Sequence, residues 1–354
     1  MSARVATPVH DGVRRSIAAC FYGPRSNALA LALTCAALAL GCSAAGTAAP
    51  MDAGAPEASG GPSVTEPTIW VRPSPSLDPR ALPLRDQGYV TNAPKRGYVF
   101  VCDPRMAQQT NAPAAQQDGD WVHQAAGTYD MTSKLFFQGN VYYASAQFAV
   151  TSKNNERLIA GNGFPMGVPT GTFPVAPSDP AYAFDRNPNS VTAQAISFSI
   201  PRTPTPAKSA SCTYKEVGIT LDGVPLHGPL DSTGRDELAH EIQDVCTGGP
   251  QPGGGYHRHA LSECTPHIHD RNALVGYALD GFGLFSPYDA NGKELTTADL
   301  DECHGVTSEI AWEGTTVTMY HYVLTRDFPY AVSCFRGTPT RNAFPPLPGA
   351  PPQR

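Results

Sequence analysis

The sequence predicts a mainly β domain, sandwich-like in its packing, with one or two short peripheral helices and long loops rich in proline and glycine. Three observations predict it. Proline (35) and glycine (33) are abundant in the 354 residues while charged residues make up only 16%, a composition that denies coiled coils and helical repeats their runs of Ala, Glu, Lys, Leu and Arg. Apolar and polar residues alternate over Gln194–Ile200, placing Ile196, Phe198 and Ile200 on one buried face. Asp-Gly pairs, favoured in two-residue hairpins, separate short apolar runs.

Taken in order, Val217–Leu221 and Val224–Leu226 flank Asp222-Gly223, and Leu274–Leu279 and Phe282–Phe285 flank Asp280-Gly281. Glu313-Gly314 turns the chain into a strand over Thr315–Thr325, and a helix is expected over Arg235–Val245. The proline-rich stretches 165–188 and 201–206 read as loops. No internal repeat is apparent from Ile69 onward.

The N-terminus reads as a targeting signal. Four arginines (Arg4, Arg14, Arg15, Arg25) precede a 13-residue apolar run, Ala28–Leu40, too short to span a bilayer but suited to a signal peptide. It ends in Leu38-Ala39-Leu40-Gly41-Cys42, which resembles a bacterial lipobox with Cys42 as the lipidated residue. Residues 1–41 are then the signal, 42–66 an Ala/Pro/Gly-rich tether, 67–345 a single β-rich domain and 346–354 a proline-rich tail. Ser43 after the cysteine fits the outer membrane of a Gram-negative cell. The expectation is an exported lipoprotein facing the periplasm or the cell surface, with the membrane as a partner through its lipid. The net charge of -6 falls near -9 once residues 1–41 are removed, and no Lys/Arg cluster occurs. A nucleic-acid binder needs the opposite surface.

Of nine cysteines, Cys20 and Cys35 leave with the signal and Cys42 carries the lipid. Cys102, Cys212, Cys246, Cys264, Cys303 and Cys334 remain, an even set that implies three disulfides in an exported domain and leaves their connectivity open. Pairing nearest neighbours (246–264, 303–334, hence 102–212) is one solution. None has the C-x-x-C spacing of a zinc or redox site.

Eight of the ten histidines fall between His227 and His321. His257-Arg258-His259 and His267-Ile268-His269 are H-x-H pairs, and in a strand residues i and i+2 share a face roughly 6.5–7 Å apart. Two imidazoles so placed can converge on one ion. With the thiols in disulfides, imidazole with phenol or carboxylate favours zinc, copper or iron, the first two foremost. The candidate ligands are His257, His259 and His321, with His267, His269 and His304 as further candidates. His321 also reads as a core residue, because Val317, Met319 and Val323 share its strand face.

Sharper motifs fail on their own terms. His240-Glu-Ile-Gln-Asp244 puts Asp where the zinc-protease H-E-x-x-H needs a second His. Pro266-His-Ile-His269 has the H-x-H of intradiol dioxygenases without the rest of that pattern. Asp299, Asp301 and Glu302 lack the central Gly of an EF-hand. No G-x-S-x-G and no phosphate-cradling glycine loop occurs; Gly253-Gly254-Gly255 is a turn without the following Lys.

Read together, the blocks resemble the bacterial YHYH-domain proteins from about Gly161 to Pro339. They are Asn162–Pro165, Thr170–Pro174, Ile200-Pro201, Gly218–Val224, Gln251-Pro252 ahead of Tyr256–His259, Gly276–Phe282, Leu300–Cys303, Tyr320–Tyr322, Phe328-Pro329 and Cys334–Pro339. The resemblance implies domain boundaries and site residues but no reaction. Two positions depart from it. Arg258 replaces the second Tyr of the motif, and Gly249 stands where a His is often found seven residues before the first Tyr. By alternation Arg258 faces away from His257 and His259, whereas Gly249 subtracts a potential ligand.

The reading is an exported domain that binds a transition metal. Its rivals are a metal-independent structural or adhesive surface module and a metal-assisted hydrolase or oxidase. Neither a general base nor a substrate is named by the sequence.

Overall fold

Gly223 and Gly281 adopt φ of +82° and +90°, left-handed values that a Cβ penalises, and each closes a tight turn. Thr220 N–H donates to the Val224 carbonyl (3.0 Å) across one and Ala278 N–H to the Phe282 carbonyl (2.9 Å) across the other. Glu313 (φ 51°) and Gly314 (φ 80°) make the third turn. All three hairpins expected from the sequence are present.

The computed structural model describes residues 76–107 and 117–344. The signal, Cys42, the tether and the 346–354 tail lie outside the described residues. Five two-residue strands come first: β1 (Leu82–Pro83), β2 (Tyr89–Val90), β3 (Val99–Phe100), β4 (Val122–His123) and β5 (Thr128–Tyr129). An antiparallel three-stranded sheet follows, β6 (Phe148–Lys153), β7 (Glu156–Gly161) and β8 (Ile196–Pro201). The remaining eight are β9 (Glu216–Thr220), β10 (Pro225–His227), β11 (Gly248–Pro250), β12 (Tyr256–Arg258), β13 (Leu274–Ala278), β14 (Gly283–Phe285), β15 (Gly305–Trp312) and β16 (Thr315–Val323). They form one sheet in the order β11-β12-β10-β9-β13-β14-β16-β15.

That order is two four-stranded units joined at β9 and β13, and the side chains repeat with it. Gly218-x-x-Leu-Asp-Gly-x-x-Leu226 recurs as Gly276-x-x-Leu-Asp-Gly-x-x-Leu284, and Asp244-x-Cys-x-Gly248 as Asp301-x-Cys-x-Gly305. Tyr256-His257 recurs as Tyr320-His321. β10 pairs parallel with β12, Leu226 level with Arg258, as β14 pairs parallel with β16, Leu284 level with Tyr322. Asp244 accepts from Cys246 N, Gly248 N and the Tyr256 hydroxyl; Asp301 accepts from Cys303 N, Gly305 N and the Tyr320 hydroxyl. The sequence reading missed this repeat, because few of the intervening residues match.

The two faces of the large sheet are buried differently. Ile159, Ile196 and Ile200 of the small sheet pack on Ile219, Tyr277, Phe285, Ile310 and Trp312, which makes this half sandwich-like. Across the sheet, Leu226, Leu284, Tyr320 and Tyr322 meet Leu261, Ile268, Leu324, Val332 and Phe335 from the loops. The disulfides are Cys102–Cys212, Cys246–Cys264 and Cys303–Cys334, the nearest-neighbour solution.

The expected helix over Arg235–Val245 shrinks to one turn, α1 (Glu237–His240), ended by extended Glu241 (φ -87°, ψ 148°). Beyond that turn the chain runs extended, with Phe137 N–H donating to the Gln243 carbonyl (3.0 Å), a group that a continued helix would use internally.

Candidate metal centre

The parallel pairing of β10 with β12 builds the centre. With Leu226 level with Arg258, strand alternation sends those two side chains to one face and His227, His257 and His259 to the other. One ligand atom from each of the three lies within 4.8 Å of the others. His257 stacks on His227 with ring centroids 4.1 Å apart, and His259 meets them edge-on at 5.4 Å from His227 and 4.9 Å from His257.

Backbone carbonyls orient two of the rings. His259 Nδ1–H donates to the Gly228 carbonyl and His257 Nδ1–H to the Gly255 carbonyl (3.2 Å), with the Gly249 backbone a second hydrogen-bonding neighbour of the His257 ring, contacts that fix the orientation of both rings. His227 is only 2% exposed, and its Nδ1 is buried without a hydrogen-bond partner. A buried imidazole nitrogen left unpaired costs about 1–3 kcal/mol, and an ion would satisfy it. The donor set, three clustered imidazoles with one buried nitrogen unpaired, fits a metal, and ligands about 2.0–2.1 Å from zinc would draw closer together than these atoms lie.

Burial lowers the pKa of His227 and His257 well below the ordinary imidazole value and that of His259 below it, with the nearby Lys215 charge adding to the effect. The rings are neutral at neutral pH, the state that binds a cation.

A cavity of about 950 Å³ opens beside the centre, and His257, His259, Lys215, Glu237, Glu241 and Gln251 stand in its wall. Glu237 Oε1 lies 3.9 Å from His259 Nε2 and accepts from Gln243 Nε2 (2.9 Å), while its Oε2 is buried without a partner. Burial raises the Glu237 pKa, and burial together with the Glu237 charge pushes Glu241 up to about 8. Gly249 sits cross-strand from His257, and a Cβ built there meets nothing nearer than Asn187 Nδ2 at 3.7 Å. The position that carries a His in the resembling sequences is thus open space beside the triad.

The structure brings His257 and His259 together with His227 and places the other expected ligands away from that group. His321 is the counterpart of His257 in the second unit, but it packs on Phe285 (4.6 Å) where His257 packs on His227, and its Nδ1–H donates to the Met319 carbonyl (3.3 Å). Burial lowers its pKa to about 4. It is a core residue. His304 is buried against Thr325 Oγ1 (2.9 Å) with its pKa lowered to about 3 by burial, outside the group. His267 and His269 lie in a turn, His267 at φ 64°, and pair separately with Asp270 (2.8 Å) and Glu263 (3.2 Å) at the surface. The i,i+2 geometry assumed for them requires a strand. His240 is clamped between Asp118 (2.7 Å) and Asp86 (2.8 Å), while Asp244 holds the Tyr256 hydroxyl.

The third ligand position, His227, was counted in the histidine-rich stretch but not selected. Its signal in the sequence was its place on the return strand of the Asp222-Gly223 hairpin. Lys215 and Glu237 had no signal.

The fold and site define a disulfide-bonded, β-rich protein with a three-histidine centre at the wall of a cavity. Residues 197–297 match the family described as YHYH protein, and that stretch of the chain carries the YHYH domain. The match contains all three histidines of the centre and stops short of β15 and β16. No curated protein and no solved structure matches the chain significantly.

Proposed function

We propose that this protein is exported, anchored in the outer membrane by lipid on Cys42, and binds zinc or copper through His227, His257 and His259. One observation carries the metal reading: three neutral imidazoles converge where His227 Nδ1 is buried and unpaired. The anchor rests on the signal and lipobox, and three disulfides agree with an oxidising compartment. A metal-assisted hydrolase or oxidase is the second reading, favoured by the unpaired Glu237 carboxyl oxygen on the cavity wall, where it could take a proton from a bound water.

The test is metal content by mass spectrometry on protein extracted from the envelope without a polyhistidine tag. About one equivalent in the parent, little in His227→Ala or His257→Ala/His259→Ala, and no loss in His267→Ala/His269→Ala is the expected result. Folded parent protein that neither contains nor takes up metal overturns the reading and leaves the metal-independent structural or adhesive module. Cys42→Ala should move the protein from the membrane fraction to the soluble one; unchanged fractionation overturns the anchor.

A further inference from the structure

Lys215 immediately precedes β9, and its carbonyl accepts from Gly228 N (2.7 Å), whose own carbonyl orients His259. The cation is thereby fixed beside the centre, and its charge acts on all three imidazoles. It lines the same cavity as His257 and His259.

Its partner is the odd feature. Lys215 Nζ donates to the neutral Gln251 Oε1, and among the described residues no carboxylate lies within ion-pairing distance of it. Other buried or part-buried cations have a carboxylate in contact: Arg258 has Asp222, Arg235 has Asp231, Arg326 has Glu294 and Arg157 has Glu313. The buried Lys134 also meets an amide, Gln243, but that amide passes on to Glu237. Of the acids on the cavity wall, Asp231 pairs with Arg235 (2.8 Å), Asp185 accepts from Asn187 N–H (3.0 Å) and Glu237 accepts from Gln243 Nε2 (2.9 Å); Glu216, next to Lys215 in the chain, and Glu241 act on it through space only. A half-buried ammonium with no carboxylate in contact gains from a ligand that brings one to it.

Apolar side chains, Val99, Val101, Val175, Leu230 and Ile242, also line the cavity. At about 950 Å³ the space exceeds a bare inorganic anion and suits a small organic molecule.

We propose that the cavity binds an organic acid whose carboxylate is anchored by Lys215 at the metal-facing wall and whose apolar body lies against these apolar side chains. The assignment rests on the metal reading for the identity of the site, but Lys215 is tested separately. Octanoate and its uncharged isostere octanamide are titrated by calorimetry into zinc-loaded protein, with metal content measured on every sample. Octanoate should bind at least tenfold more tightly than octanamide. Lys215→Met should remove that preference while leaving metal content and thermal midpoint unchanged, and Lys215→Arg should keep most of it. Equal binding of the two probes, no binding of either, or a preference that survives Lys215→Met overturns the proposal while bound zinc leaves the metal reading standing. Should the protein hold no zinc, the metal reading falls, and the same pair of probes on the same samples still decides Lys215.

Discussion

Arg258 and Asp222 form a buried ion pair, Nη1 to Oδ2 at 2.8 Å, on the sheet face opposite the three histidines. In the second unit the corresponding residues are Tyr322 and Asp280, joined by a hydroxyl-to-Oδ2 hydrogen bond of 2.6 Å. An arginine thus does for the first hairpin turn what a phenol does for the second, and the departure from the Tyr-His-Tyr-His pattern lies on the face away from the three histidines.

Removing Arg258 strands a buried carboxylate. Arg258→Ala should cost about 3–5 kcal/mol, read as a lower urea midpoint, whereas Arg258→Tyr should recover most of that loss by repeating the Tyr322–Asp280 contact. Equal destabilisation by both substitutions would show that the two turns are not equivalent.

Gly249 leaves room for a fourth ligand. Its Cβ position is open and lies across from His257, so Gly249→His should tighten zinc by roughly tenfold or more, at about 1.4 kcal/mol per decade. Competition with a chelating dye measures it. Unchanged affinity would mean that the open side of the centre lies elsewhere.

The second unit lacks the centre at two positions. Phe285 is level with Val323 in the parallel pair, where the first unit carries His227 and His259 around the common His257/His321 position. Phe285→His/Val323→His should raise bound zinc from one equivalent to two by mass spectrometry, at a cost in stability because both replaced residues are core. A count that stays at one limits the equivalence to backbone.

Acid should destabilise the fold through its buried histidines. His321 and His304 have folded pKa values of about 4 and 3 because burial disfavours the charged ring, against about 6.5 unfolded. The unfolded chain therefore binds more protons, and stability complete above about pH 6.5 is lost as pH falls toward the folded values. Each contributes a loss on the order of 2 kcal/mol between pH 7 and 5. In zinc-free protein His321→Phe should reduce the drop in urea midpoint over that interval while the zinc content of loaded protein stays unchanged. An equal drop in the variant would place the acid sensitivity elsewhere.

What the sequence determined by itself was local. Left-handed φ at Gly223, Gly281 and Gly314 made the hairpins legible, because few residues tolerate that backbone. Period-two alternation put His257 and His259 on one face and Arg258 on the other, and an even cysteine count implied the bridges. The tertiary structure alone decided the rest. His227 joined the centre through a parallel register between β10 and β12, and a register between strands far apart in sequence leaves no periodic trace in either. His321 fell out of the centre for the same reason: its neighbour across the parallel pair is Phe285, an identity fixed by the sheet and not by its own strand. Lys215 and Glu237 reached the cavity wall from the ends of elements too short to announce a face, so their place beside the histidines was set by packing.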